Sequence, residues 1–354
     1  MGLTGFPLAD LDDHLVHQTS RPFSRAGNDE PEWFEHGWFI LIPPDPGCPL
    51  IESNLTLHPN TNMMHAYVIA QLGEQQYTFR GGRTIGSDRT DMRIGPMVHI
   101  ARTPFKSWQL VLEPHPDVPL SIEAEMEATH PPQLWPRIEY FEAGSMYHAQ
   151  TEIVQLFQVT SGSLDTGGRT WDLAGWRCVR DHCWGYRPLS RVTPVHTWVP
   201  AFFEDRAVLL WHTEDADGNP LHHFAQIFLP DGTILNSDET QITYMDEQQS
   251  HFEWSFETSD GVQHRLKGDK AGKHGVMHQA GWSGERDTDY YGPYKVEGLR
   301  TDLEEVTKQL MPSGRGYLGH WYANYVLDDV HTGSGVLAHY ALSVPGRMAG
   351  QSRR

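Results

Sequence analysis

The chain has 354 residues, of which 38% are hydrophobic, and a formal net charge of −19 at pH 7. That length suggests about two domains of roughly 150 residues each, and the acidic balance argues against nucleic acid or an anionic membrane surface as a partner. The three cysteines, Cys48, Cys178 and Cys183, form no C-x-x-C pair, and there is neither a signal-like N-terminus nor a run of ~20 apolar residues, so a cytoplasmic protein without a membrane span is expected.

In chain order, residues 1–29 read as an irregular arm, interrupted by Pro7, Pro22 and Gly27, part of which packs over a domain. A first strand is expected over 32–42, with Phe34, Trp38 and Ile40 at period-two positions. Further β-prone runs separated by turn residues fall at 64–72, 75–79, 97–101, 108–112, 120–126 and 153–159, and 165–171 reads as a hairpin. After a dense central motif the rhythm resumes at 197–203, 207–213, 222–228, 233–236, 251–258, 296–301, 316–327 and 335–343. The stretch 271–294 is rich in Gly and His and reads as loop, 302–310 as one short amphipathic helix, and 347–354 as a basic, disordered tail. Strand signals about ten residues apart predict an all-β protein. It is expected to fold as two antiparallel β-barrel or sandwich domains, 30–192 and 193–346, packed together.

The motif is Arg180-Asp181-His182-Cys183-Trp184-Gly185-Tyr186-Arg187. On a strand, Asp181 and Cys183 would point to one face, and Arg180, His182 and Trp184 to the other. Two readings follow from the residue types. Asp181 is a general acid if sheltered from water, because burial favours the neutral carboxyl. Alternatively, Arg180 or Arg187 holds the carboxylate ionised, and an Arg–Asp–Trp knot locks the backbone at the seam between the halves.

The motif resembles the R-D-H-S-W-G-x-R signature of two-domain lipocalin-like proteins of the AttH and carotenoid hydratase (hydroxyneurosporene synthase) group. Gly162-Ser163-Leu164, the Gly168 turn and Gly175 are similar to the strand-turn-strand that precedes it in that group. Two positions depart from the pattern: Cys183 stands where the signature has Ser, and Cys178 where a glycine is expected. The resemblance implies two lipocalin-like barrels and a cofactor-free enzyme acting on a hydrophobic, isoprenoid or polyene-like small molecule as hydratase, lyase, isomerase or cyclase. It casts Asp181 as the proton donor or its electrostatic partner, with His148 tuning or relaying the proton and Tyr147, Trp184 and Tyr186 walling the site. His182, Trp282 and Trp321 are added as substrate contacts, with Arg180 and Arg187 in structural or electrostatic roles. A non-catalytic carrier of hydrophobic ligands is the alternative, and a homodimer is compatible with either.

Other clusters carry less. His222 and His223 are neighbours and diverge on a strand, His274 and His278 sit among glycines, and no H-E-x-x-H spacing occurs. No metal is therefore expected, a metal-dependent hydrolase being the third option. Asp287 and Asp289 are spare acids, more readily solvated. The aromatic run 320–325 reads as core of the second half.

Overall fold

The computed structural model describes residues 8–15, 33–86, 91–142, 145–186, 195–214, 219–245, 251–271, 275–276, 295–302 and 317–341. Two antiparallel sheets, each curled towards closure, make up almost all of it. The first sheet takes β1 (Trp33–Ile42), β2 (Leu50–His58), β3 (Met63–Leu72), β4 (Gln75–Thr84), β5 (Arg93–Ile94), β6 (Met97–Thr103) and β7 (Ser107–Leu112). It continues with β8 (Ser121–Ala128), β9 (Gln133–Leu134), β10 (Ile138–Glu142), β11 (Ser145–Asp165), β12 (Thr170–Asp172) and β13 (Arg177–Tyr186). The second takes β14 (Val195–Phe202), β15 (Ala207–Glu214), β16 (Pro220–Phe228), β17 (Ile234–Ser237), β18 (Thr240–Tyr244), β19 (His251–Glu257), β20 (Gln263–Lys270) and β21 (Gly275–Val276). After β22 (Lys295–Asp302), β23 (Tyr317–Leu327) and β24 (His331–Ala341) complete it. β22 itself crosses over: it pairs with β4 at the edge of the first sheet, not with the strands around it in sequence.

The first sheet runs β22-β4-β3-β2-β1-β13-β11-β8-β7-β6-β5. Its far edges approach where the Arg83 guanidinium on β4 donates to the carbonyls of Asp91 and Arg93, each at 2.6 Å. One face of β1–β8 and of β11–β13 fills the barrel. Phe39, Leu55, Val68, Phe79, Trp108, Leu110 and Phe157 form a core drawn from this sheet alone. Val199, Leu210, Ile227, Trp254, Tyr325 and Leu337 do the same in the second. A third cluster joins the two: Trp38, Ile40, Tyr67, Val154 and Val179 from outside the first barrel pack on Trp198, Leu209, Trp211, Phe224 and Ala338 of the second.

β2 was not expected from the sequence. Its polar positions Glu52, Asn54 and Thr56 alternate with Ile51, Ser53, Leu55 and Leu57, yet all are buried, because one face fills the barrel and the other meets the second barrel. The alternation along β2 is therefore between a barrel-filling face and a buried polar seam face, not between core and water. β18 and β20 were also unforeseen. The expected helix 302–310 falls outside the described residues beyond Asp302, as do the tail 347–354 and most of the loop 271–294. Among the described residues no helix is long and apolar enough to cross a membrane.

The arm enters the first barrel as a 3-10 turn, Asp10–Asp13, with Asp13 and Leu15 buried. Asp13 Oδ2 accepts from the Phe105 backbone N–H at 2.6 Å and Trp108 Nε1 at 3.1 Å. Its Oδ1 pairs with Arg180 Nη1, whose Nη2 donates to the Asp13 carbonyl at 2.9 Å. The guanidinium lies over the Trp108 ring, 4.3 Å from its centroid. Nearby, His99 Nε2 sits 2.8 Å from Ser53 Oγ against the ring of Phe39.

Burial, reinforced by the Arg180 charge, lowers the His99 pKa to about 3. Between that value and the unfolded ~6.5 the unfolded chain binds the extra proton, so this contribution to stability is complete above ~6.5 and fades as pH falls towards 3. At about pH 5 the loss relative to neutrality is about 2 kcal/mol for this one group. Urea unfolding at both pH values is expected to show a gap that narrows by that amount in His99→Gln. An unchanged gap would mean that His99 titrates alike in both states.

Candidate functional site between the barrels

Strand alternation splits the central motif. β13 lies between β1 and β11, and its register sets Asp181 opposite Trp38 and Val154, and Cys183 opposite His36 and Glu152. Directly paired residues share a face, so Asp181 and Cys183 lie on the outer, second-barrel side with Trp38 and Val154. Arg180 and His182 lie on the inner side. There Arg180 serves Asp13 of the arm, and His182 Nε2 meets Glu35 Oε1 at 3.0 Å, both side chains fully buried. Trp184 contacts His182, ring centroids 5.2 Å apart, and so belongs with the inner group. Tyr186 ends the strand opposite Trp33 and Ala149. The motif glycine, Gly185, has φ +152°, and a Cβ there would lie 2.0 Å from the Ala149 carbonyl oxygen. It is the close approach of β13 and β11 that requires glycine here.

The Arg–Asp–Trp knot anticipated within the motif is not what Arg180 forms: it pairs with Asp13 over the Trp108 ring, inside the first barrel and not at the seam. Asp181 is left for the other face. Its side chain is 14% exposed, Oδ2 lies 3.5 Å from His36 Nε2, and Oδ1 is buried with no hydrogen-bond partner among the described residues. Cys183 Sγ lies 3.0 Å from the same His36 Nε2.

Across the sheet the polar row continues. Trp38 is opposite Asn54, which is opposite Tyr67; His36 is opposite Thr56, which is opposite His65. Thr56 Oγ1 donates to Asn54 Oδ1 at 2.7 Å, while Asn54 Nδ2 is buried without a hydrogen-bond partner among the described residues. His65 stacks on His58 with centroids 5.0 Å apart. Burial lowers the pKa of both imidazoles, His58 to about 4 and His65 well below its ordinary value, with His36 adding to each shift.

The second barrel contributes Trp198 and His320, whose rings lie 5.4 and 5.3 Å from that of Trp38. His320 Nδ1 pairs with Glu52 Oε1 across the seam. Among the described residues, Trp38 Nε1, Glu52 Oε2, Trp198 Nε1 and His320 Nε2 are buried without hydrogen-bond partners. Buried polar atoms are normally satisfied, so unpaired donors and acceptors gathered in one seam mark a place suited to a polar group of a ligand. The aromatic rings around them suit its apolar part.

Of the residues singled out from sequence, Asp181 lies in this seam, and Arg180, His182 and Trp184 lie behind it. Tyr147 and His148 are on β11, with His148 opposite Tyr140 in register, and Trp321 is on β23 opposite Leu337; their side chains fall outside the described residues. Trp282, Arg187, Asp287 and Asp289 lie outside them altogether. His36, Glu52 and Asn54 were missed. Their signal was polar residues at seam positions inside otherwise apolar strands.

Residues 8–265 match the profile of a family described as a family of unknown function (DUF8625). No curated protein matches the chain. Among solved structures, an AttH-type protein of Nitrosomonas europaea is similar at a TM-score of 0.59 and 10% identity, covering 93% of this chain and 99% of that one. CghA, solved with the compound Sch210972, is similar at 0.54 and 10% identity, covering 93% and 94%. Kievitone hydratase of Nectria haematococca is similar at 0.46 and 11% identity, covering 94% and 97%. The first two likenesses show the shared two-barrel, lipocalin-like fold.

Proposed function

We infer the function from the site itself, since the chain belongs to a family of unknown function, DUF8625. The reading is a cofactor-independent lyase or hydratase, or an isomerase or cyclase, acting on a hydrophobic small molecule of isoprenoid or polyene type held between the barrels. The observation that carries it is the Asp181 carboxyl: nearly buried, one oxygen unpaired, the other beside His36, in a seam walled by Trp38 and Trp198. CghA, with the same fold, is solved with a small molecule, which supports ligand binding.

In this mechanism Asp181 gives a proton to a C=C or C–O bond. The faces of Trp38 and Trp198 stabilise the cation that develops, and exclusion of bulk water governs what captures it. His36 Nε2 is placed to return the proton to Asp181. Arg180, neutralised by Asp13 on the far side of the sheet, does not hold the Asp181 carboxyl.

The test is to extract ligands from purified protein and to incubate the protein with unsaturated hydrophobic compounds, following masses over time. Gain or loss of one water, or a rearranged product of equal mass, is expected. A ligand recovered unchanged after prolonged incubation would identify a carrier and overturn the catalytic reading.

A further inference from the structure

We propose that His36, Asp181 and Cys183 form a site for one thiophilic divalent cation of the zinc type. Their ligand atoms, Nε2, Oδ2 and Sγ, all lie within 4.8 Å of one another, with Nε2 3.0 Å from Sγ and 3.5 Å from Oδ2. A tetrahedral zinc, bonded at about 2.0–2.3 Å, holds neighbouring ligand atoms roughly 3.5 Å apart. Both distances from Nε2 are within about half an ångström of that spacing, and Sγ and Oδ2, no more than 4.8 Å apart, draw together on sharing a metal.

The geometry separates this arrangement from a cysteine nucleophile with a histidine base. In such a relay the imidazole uses one nitrogen towards the nucleophile and the other towards the carboxylate. Here thiol and carboxylate both face Nε2, so the three atoms converge on one point. Thiolate and carboxylate together carry two negative charges, which cancel those of the cation in a poorly solvated seam; the thiol proton is released on binding. His36 and Cys183 are buried, whereas Asp181 retains some exposure, which leaves a side from which an ion can enter. His36 and Cys183 are paired across β1 and β13, and Asp181 lies two residues before Cys183 on the same face of β13, so the strands set the site before the metal arrives. The deciding residue is Cys183, which stands where the resembled signature has Ser: a hydroxyl is a far poorer ligand than a thiolate for such cations.

This site shares Asp181 with the acid role and in that respect rests on the proposed function. A bound cation occupies Oδ2 and His36 Nε2, so the metal-loaded protein cannot deliver the proton. The test needs no substrate. The full chain is titrated with Co2+ and with Zn2+, reading stoichiometry by equilibrium dialysis and the thiolate-to-cobalt charge-transfer band by absorbance. One equivalent and the band are expected in the wild type and in Cys48→Ser. In Cys183→Ser the band is lost, and Cys183→Ser and His36→Gln bind at least about a hundredfold more weakly, with circular dichroism showing the fold kept. Failure of the wild type to take up either ion, or an undiminished band in Cys183→Ser, would overturn the proposal. Because the readout is optical, it stands or falls separately from catalysis by Asp181.

Discussion

Replacing either Arg180 or Asp13 is expected to destabilise the protein by about 3–5 kcal/mol, the penalty for leaving one charge of a buried pair without its partner. Both side chains are fully buried. Asp13 also accepts from the Phe105 backbone and the Trp108 indole, and the guanidinium stacks on Trp108. Asp13→Asn and Arg180→Met are each expected to lower the urea midpoint strongly. A joint replacement, Asp13→Leu with Arg180→Met, is expected to recover much of the loss, because no orphaned charge remains. Removing residues 1–15 should act like Asp13→Asn with further loss of Leu15 packing, since the carboxylate comes from the arm. Single replacements costing under about 1 kcal/mol would show that the arm merely rests on the barrel.

This knot also shows how far the sequence could be read. Turn residues and short apolar runs located most strands, and the motif was placed on a strand whose two faces carry different residues, as found for β13. What stayed hidden is pairing at long range. Nothing in the sequence ties Asp13 to Arg180, 167 positions away, or sends β22 to β4 of the other sheet. The site was hidden for a related reason. His36, Glu52 and Asn54 occupy seam positions where local pattern expects either apolar core or wet polar surface; only the docking of a second barrel makes that face buried and polar together. His320, read as core from its aromatic neighbours, meets Glu52 from the opposite barrel for the same reason.

Asp181→Asn is expected to reduce turnover by about a hundredfold to ten-thousandfold, the range for loss of a positioned general acid. Asparagine keeps the size and the hydrogen-bonding oxygen but has no proton to give. Stability should change by less than about 1 kcal/mol, because Asp181 Oδ1 has no partner and Oδ2 only a 3.5 Å contact with His36. This contrasts with Arg180, the adjacent residue, whose replacement unfolds the barrel more than it touches the chemistry. Substrate affinity should also hold, since Trp38 and Trp198 supply the apolar contact.

The decisive measurement compares wild type with Asp181→Asn on a compound that the wild type converts, recording product formation and ligand affinity in the same preparations. Conversion falling at least about a hundredfold with affinity and unfolding midpoint unchanged is the result that places the acid at position 181. Undiminished conversion by a folded Asn variant would contradict it.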